Sequence, residues 1–179
     1  MKYINVVGTS ASGKSTFSQS LAKALNLAYI ELDDLFWLDN WKGSSDDLFF
    51  DKLLASVQAA PHGYVIDGNY TRTIPIKWAK IDTVVIWLDL PLYVNFYRSI
   101  KRAFNRAIFK KQLWQNSNNR ESFQKLFSKE SIVWQMFKSY KVNKAKYLAL
   151  MQNPVYSHIH FIRLRSIKEM QAFLAQYQH

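Results

Sequence analysis

Gly8-Thr9-Ser10-Ala11-Ser12-Gly13-Lys14-Ser15-Thr16 follows directly on the apolar run Tyr3-Ile4-Asn5-Val6-Val7. The stretch spells G-x-x-x-x-G-K-S with a predicted strand before it and a predicted helix after it, the setting that a phosphate-binding P-loop, or Walker A motif, requires. Glycines at both ends let the backbone wrap so that successive N–H groups point inward at an anion, and the helix that begins at Lys14 adds its positive dipole end. On this reading Gly8, Ser10, Ala11, Ser12, Gly13, Lys14, Ser15 and Thr16 form the nucleotide cradle. Lys14 neutralises the β- and γ-phosphates and Ser15 offers its hydroxyl to a magnesium ion. A strand, turn and helix with no ligand is the alternative, and the context on both sides argues against it. Position 11 is alanine where many such loops carry a third glycine; the pattern leaves it free.

Working outward, Lys14 to Leu25 has apolar Phe17, Leu21, Ala24 and Leu25 at helical spacing. Ala28 to Leu32 reads as a second strand ending at the pair Asp33-Asp34, and the aromatic segment Leu35 to Trp41 follows. Lys42 to Ser45 is a loop feeding a helix from about Asp46 to Ala60, which Pro61-His62-Gly63 breaks. Tyr64 to Asp67 is a third strand and Thr83 to Leu88 a fourth, nearly all apolar as a strand buried on both faces should be. Leu92 to Leu148 is helical in pattern with a polar interruption at Gln115 to Asn119. His158 to Leu164 returns to strand, and Ser166-Ile167-Lys168-Glu169 has capping-box form. Strands alternating with helices predict an α/β P-loop NTPase fold: five parallel strands with helices on both faces. Ligands gather at the C-terminal strand ends of such a sheet. Asp33, Asp34, Asp67 and Asp89 all fall there.

The 179 residues fit one domain spanning 1–179, with no signal peptide or membrane span in view. The absence of cysteine excludes disulfides, thiolate metal sites and Cys nucleophiles, in keeping with a cytoplasmic enzyme. The net charge of +11 is local: residues 92 to 147 hold 13 Lys+Arg against 2 Asp+Glu, leaving 11 of each elsewhere. That segment either faces an anion or presents a solvated helical face. Arg98, Arg102 and Arg106 recur every four residues, with Lys101 beside them, and so share one side of a helix.

With these features in hand, the chain resembles the adenylate-kinase-like branch of P-loop kinases, which includes nucleoside monophosphate, shikimate and gluconate kinases. Within it, Glu31-Leu32-Asp33-Asp34-Leu35-Phe36-Trp37 with Val65-Ile66-Asp67-Gly68-Asn69-Tyr70 looks most like the small proteins named for DNA topology modulation. The resemblance implies that Asp67 is the Walker-B type acid holding magnesium through water, next to Ser15; turn chemistry at Asp67-Gly68 is the plainer alternative. It implies that Asp33 orients or deprotonates the acceptor hydroxyl, with helix capping the alternative for Asp33 or Asp34. It places Arg98, Arg106 and Arg120 in a short helical lid within a basic region of about residues 98–147, and makes Arg102 the catalytic arginine. Acceptor contacts fall on Asp34, Trp37, Trp41, Asn69, Tyr70 and Arg72; Asn69-Tyr70-Thr71-Arg72 replaces the Phe-Pro-Arg of adenylate kinases, with Arg72 one residue further along. Phe36, Phe49, Phe50 and Trp78 fall in the segments that would form the same flap, although aromatic side chains at helical spacing are more often core, and Arg163 and Arg165 stand where the branch contacts adenine.

Two functions stand at this stage. The favoured one is an ATP- and Mg2+-dependent phosphotransferase with a small-molecule acceptor, either a nucleoside or nucleotide or a hydroxyl compound. The other is a nucleotide-binding protein that meets DNA or RNA through the basic 92–147 segment, although no recognised nucleic-acid module is present. No membrane partner is expected.

Overall fold

Alternation along the fourth strand sets the layers. In the computed structural model, which describes residues 1–109 and 132–178 and the side chains of 1–101 and 140–178, β4 (Thr83–Leu88) is buried throughout. Val84, Ile86 and Leu88 pack on one face of the sheet and Val85 and Trp87 on the other, as a pleated strand with both faces covered requires. The sheet has five strands in the order β2-β3-β1-β4-β5, every pairing parallel. Its members are β1 (Tyr3–Gly8), β2 (Ala28–Glu31), β3 (Tyr64–Asp67), β4 and β5 (His160–Leu164).

On one face α1 (Lys14–Leu25) and α7 (Ile167–Ala175) bury Phe17, Leu21, Ala22 and Met170 against Ile4, Val6, Val65, Ile86 and Leu164. On the other, α4 (Ile74–Lys77) and α6 (Ile132–Gln152) bring Ile74, Trp78 and Tyr147 onto Val7, Val85 and Trp87. A third cluster closes the β2 end, where Leu32 from α2 (Leu32–Phe36) and Phe49 and Leu53 from α3 (Asp46–Gln58) cover Ile30, Tyr64 and Ile66. Helix α5 (Leu92–Phe109) runs on from β4. Helices therefore cover both faces, and this is the α/β P-loop fold that the strand–helix alternation predicts.

Register positions the chemistry. Asp67 pairs with Val6 on one side and Glu31 on the other, so the acid ends of β2 and β3 lie side by side, two residues short of Gly8. Connections leave β1 and β4 in opposite directions, which opens a crevice above their C-terminal ends.

The predicted elements hold with shifts at their ends. The second strand stops at Glu31 because Leu32 already begins α2, so Asp33 and Asp34 occupy a short helix rather than the strand end itself. The fifth strand begins at His160, two residues later than expected, after a tight turn at Pro154–Tyr156. The closing helix has its cap: Glu169 N–H donates to Ser166 Oγ at 3.1 Å, and the Glu169 carboxylate reaches back to the Arg165 N–H at 2.8 Å. The polar interruption at Gln115 to Asn119 and the lid residue Arg120 lie outside the described residues, and so do the side chains of Arg102 and Arg106.

Candidate active site

The phosphate loop is a backbone construction. Gly8 and Gly13 have φ of 157° and 92°. A Cβ at Gly8 would lie 2.8 Å from Leu88 O and 2.9 Å from Ser12 Oγ, so only glycine fits. A Cβ at Gly13 would lie 3.0 Å from Arg98 Nη1. Ala11 has φ of 62°; the sequence pattern leaves this position free, but the fold puts an L side chain in the left-handed region at a cost of roughly 1–2 kcal/mol. Helix α1 has no side-chain N-cap and no acid in its first turn, whereas α3 is capped by Ser45 and carries Asp46 and Asp47 in its first turn. The open end of α1 is thus left to an anion. Lys14 Nζ lies over the loop, 3.4 Å from Thr9 O, and Ser15 is exposed beside it.

Among the described residues, three side chains from elsewhere in the chain grip this loop. Asn69, just past β3, accepts from Gly8 N–H at 2.9 Å through Oδ1 and donates to Gly8 O through Nδ2 at 2.5 Å. Asn95 of α5, fully buried, donates to Thr9 Oγ1 at 3.0 Å and to Leu90 O at 3.3 Å. Arg98, one turn further on, donates to Ser12 O at 3.1 Å, which lays its guanidinium across the loop beside Gly13. Of the arginine face read from the sequence, Arg98 is the member whose side chain is described, and it sits on the P-loop itself.

The acids gather below. Asp67 is 4% exposed; its Oδ2 accepts from Tyr29 OH at 3.2 Å, while its Oδ1 is buried without a hydrogen-bond partner. Burial pushes the Asp67 pKa upward, and Lys14 and Ser15 nearby pull it back toward the charged form. An orphaned carboxylate oxygen next to a lysine and an exposed serine hydroxyl is a fitting outer ligand for a hydrated divalent cation. Among the described residues no three or more His, Asp or Glu are grouped to hold a metal. Glu31 is raised to about 7, by burial first and then by Asp67 and Asp33. The sequence reading passed over Glu31; its signal is a charged residue at the C-terminal end of a parallel strand, visible only once the strand's end is known.

Asp33 Oδ1 accepts from Tyr70 OH at 2.7 Å, so the two residues are brought together from α2 and from the loop after β3. Burial and the neighbouring Asp33 charge push the Tyr70 phenol well above its ordinary pKa, which keeps it a donor. Asp34 is half-buried on the next position of α2. Around this pair Phe36 packs on Tyr70 at 5.2 Å and on Phe49 at 5.4 Å, and touches Trp37 at 4.9 Å; Trp37 continues to Trp41 at 5.8 Å. Arg72 pairs with Asp46 at 2.6 Å and lies 4.9 Å from the Phe36 ring centroid.

Not every expected residue joins them. Trp78 is buried farther along the same face of the sheet, beneath α6, where its indole N–H donates to Asn5 Oδ1 at 3.0 Å. Asp89 is taken by Arg163, whose Nη2 lies 2.5 Å from Asp89 Oδ2 and whose guanidinium stacks on Trp87 at 4.6 Å. That strand-end acid is therefore neutralised by β5. Arg165 is exposed at the entrance to α7.

No family model and no curated protein sequence matches the chain. Solved structures do. A sugar kinase from Janibacter sp. superposes with a TM-score of 0.55 at 15% identity, covering 99% of this chain and 94% of that one. Shikimate kinase from Acinetobacter baumannii, solved with shikimate, gives 0.57 at 14% identity over 98% and 90% of the two chains. A gluconokinase from Sinorhizobium meliloti gives 0.51 at 17% identity over 98% and 92%. At such identities the likeness establishes the fold of P-loop kinases.

Proposed function

We propose that this chain is an ATP- and magnesium-dependent phosphotransferase that acts on a small hydroxyl-bearing acceptor, as one kinase-like unit with its lid in the basic region of residues 98–147. One observation carries the reading: Asp33, fixed by Tyr70 at 2.7 Å, stands in the same acidic group as buried Asp67, which in turn lies beside Lys14 and Ser15. A phosphate-holding loop and an acid able to address a second substrate thus share one crevice. Kinases that share the fold include enzymes for sugars, gluconate and shikimate, and all of these acceptors present a hydroxyl to the transferring phosphoryl group.

Ser15 and Asp67 would hold magnesium, which when bound offsets charge on the β- and γ-phosphate oxygens. The chain's own groups do the rest. Lys14 and the open N-terminus of α1 hold the donor phosphates, and Arg98 lies across the same loop, with Arg102 assigned to the charge that spreads over the transferring group. Asp33 accepts the proton of the acceptor hydroxyl as its oxygen attacks phosphorus and the bond to the ADP oxygen breaks. Tyr70 holds the Asp33 carboxylate in place for that step. Trp37, Trp41 and the Phe36 ring form the wall against which an acceptor would rest, and Arg72 stands at its mouth.

ADP release measured against panels of sugars, hydroxy acids, nucleosides and nucleotides tests the proposal. Turnover with one class above the intrinsic ATPase rate, lost by about 10³-fold in Lys14→Ala, is the expected result. Hydrolysis alone, indifferent to every acceptor and to Lys14, would sink it.

The nucleic-acid reading keeps one observation in its favour: Tyr93 and Tyr97 of α5 are 74% and 68% exposed, one turn apart, with exposed Lys101 one turn further. The proteins named for DNA topology modulation, which the motifs around Asp33 and Asp67 resemble, would on the proposal above be kinases first. Binding to single-stranded DNA that survives moderate salt and falls when Tyr93 and Tyr97 become alanine would favour the alternative instead.

A further inference from the structure

The grip of Asn69 on Gly8 has a second residue behind it. In a parallel ladder the N–H and C=O of one residue point to the same neighbour, and alternate residues point the same way. Val6 O faces β3 and accepts from Gly68 N–H at 3.2 Å. Gly8 faces β3 as well, but β3 ends at Asp67 and the chain turns away at Gly68 with φ of 146°. The Asn69 carboxamide fills the place of the missing peptide: its C=O meets the Gly8 N–H at 2.9 Å and its N–H meets the Gly8 C=O at 2.5 Å. Gly8 is buried, so without this surrogate both backbone groups would be left unpaired. Aspartate in its place lacks the donor and serine lacks the reach.

Tyr147 braces the carboxamide in that orientation. The Gly8 N–H and C=O decide which end faces which, and the Tyr147 hydroxyl adds a hydrogen bond to Asn69 Oδ1 at 3.3 Å. Tyr147 is 2% exposed and comes from α6, with its ring 5.6 Å from Trp87 on β4. Burial holds its phenol protonated well above the ordinary range, so it stays a donor.

We propose that Asn69 is a positioning residue for the phosphate loop and that Tyr147 braces it, so that the seating of α6 controls how firmly the loop holds a nucleotide phosphate. The proposal rests on the phosphate-loop reading for its nucleotide arm only. Most of helix α6 belongs to the basic region, and a shift of Tyr147 away from Asn69 loosens the first residue of the loop without any contact to the ligand. Asn69 and Tyr147 then act as one unit, and the loss of either should cost less once the other is gone.

Two measurements on Asn69→Ala, Tyr147→Phe and the double variant test this. Amide exchange of the Gly8 N–H in the ligand-free protein should speed up about tenfold or more in Asn69→Ala and about threefold in Tyr147→Phe, with the double variant no faster than Asn69→Ala. The ATP dissociation constant should rise in parallel, by about tenfold and threefold, while the melting temperature of Tyr147→Phe stays near that of the parent. Unchanged Gly8 protection in Asn69→Ala, or effects of the two substitutions that multiply in full, overturns the proposal. If Asn69→Ala does not fold, a Tyr147→Phe protein with unaltered Gly8 exchange overturns it equally. A parent chain that binds no ATP defeats the phosphate-loop reading, and the exchange measurement still decides the clamp.

Discussion

The two halves of the crevice are made of different material. On the side proposed to hold the donor the groups are backbone: a loop with three residues at positive φ, the uncapped end of α1, and side chains such as Asn69, Asn95 and Arg98 that hold that backbone. On the side proposed to hold the acceptor they are side chains, with Asp33, Tyr70, Phe36, Trp37, Trp41 and Arg72 converging from α2, the turn after it and the loop after β3. Backbone recognition suits a ligand part that never changes, the phosphate chain. Side-chain recognition can be rewritten residue by residue without touching the fold.

That contrast can be tested by substitutions that hit one half and spare the other. The largest effect is expected from Asp33→Asn, which removes the proposed proton acceptor but keeps the shape: phosphoryl transfer should fall by about 10²–10³-fold with the ATP affinity little changed, read from kcat and from direct nucleotide titration. A comparable loss of ATP affinity would mean that the halves are not separate. Arg72→Ala should raise the KM for an acceptor by about tenfold and leave the ATPase background alone. If background hydrolysis drops equally, Arg72 belongs to the donor side.

Lys77 lies under the junction of the halves, and its effect is on stability. It is 1% exposed, its Nζ reaches Gly68 O at only 3.5 Å, and burial with the nearby Lys146 lowers it to about 7. The folded state therefore favours the neutral amine. A depressed pKa stabilises above the unfolded value, and that stability is lost as pH falls through the folded one, so the parent protein should weaken from about pH 10 down through pH 7. Lys77→Met should flatten that slope and raise the melting temperature at pH 6–7; a slope that persists assigns it to other groups. The smallest effect belongs to Ala11→Gly, which relieves a left-handed alanine and should stabilise by about 1 kcal/mol in thermal unfolding without altering acceptor KM. Destabilisation would show that the Ala11 methyl packs usefully.

How much of each half is legible in the sequence follows from the same contrast. The P-loop can be read in one line because its constraints are local: glycine where φ must be positive, lysine and serine at fixed offsets, a strand and a helix on either side. The helix ends at Ser45 and Ser166 are legible for the same reason. Asp67 is legible as a strand-end acid, but its unpaired Oδ1 is not. Glu31 escapes notice because nothing local marks the last residue of β2, and its raised pKa comes from Asp67 and Asp33 across the sheet edge. Trp78 and Phe49 look alike in a list of aromatics, yet on one face of the sheet the first packs beneath α6 with Tyr156 and Phe161 and the second beneath Phe36 and Tyr70.

The sequence by itself determined the fold class, the strand order's raw elements and the presence of a phosphate loop, since periodicity and turn chemistry act over a few residues. Tertiary structure alone decided that Asn69 would stand in for a strand next to Gly8, that Tyr70 would hold Asp33, and that Arg163 would claim Asp89. These are contacts between residues 37 to 74 positions apart. Their partners are chosen by strand order and register, which no local pattern encodes.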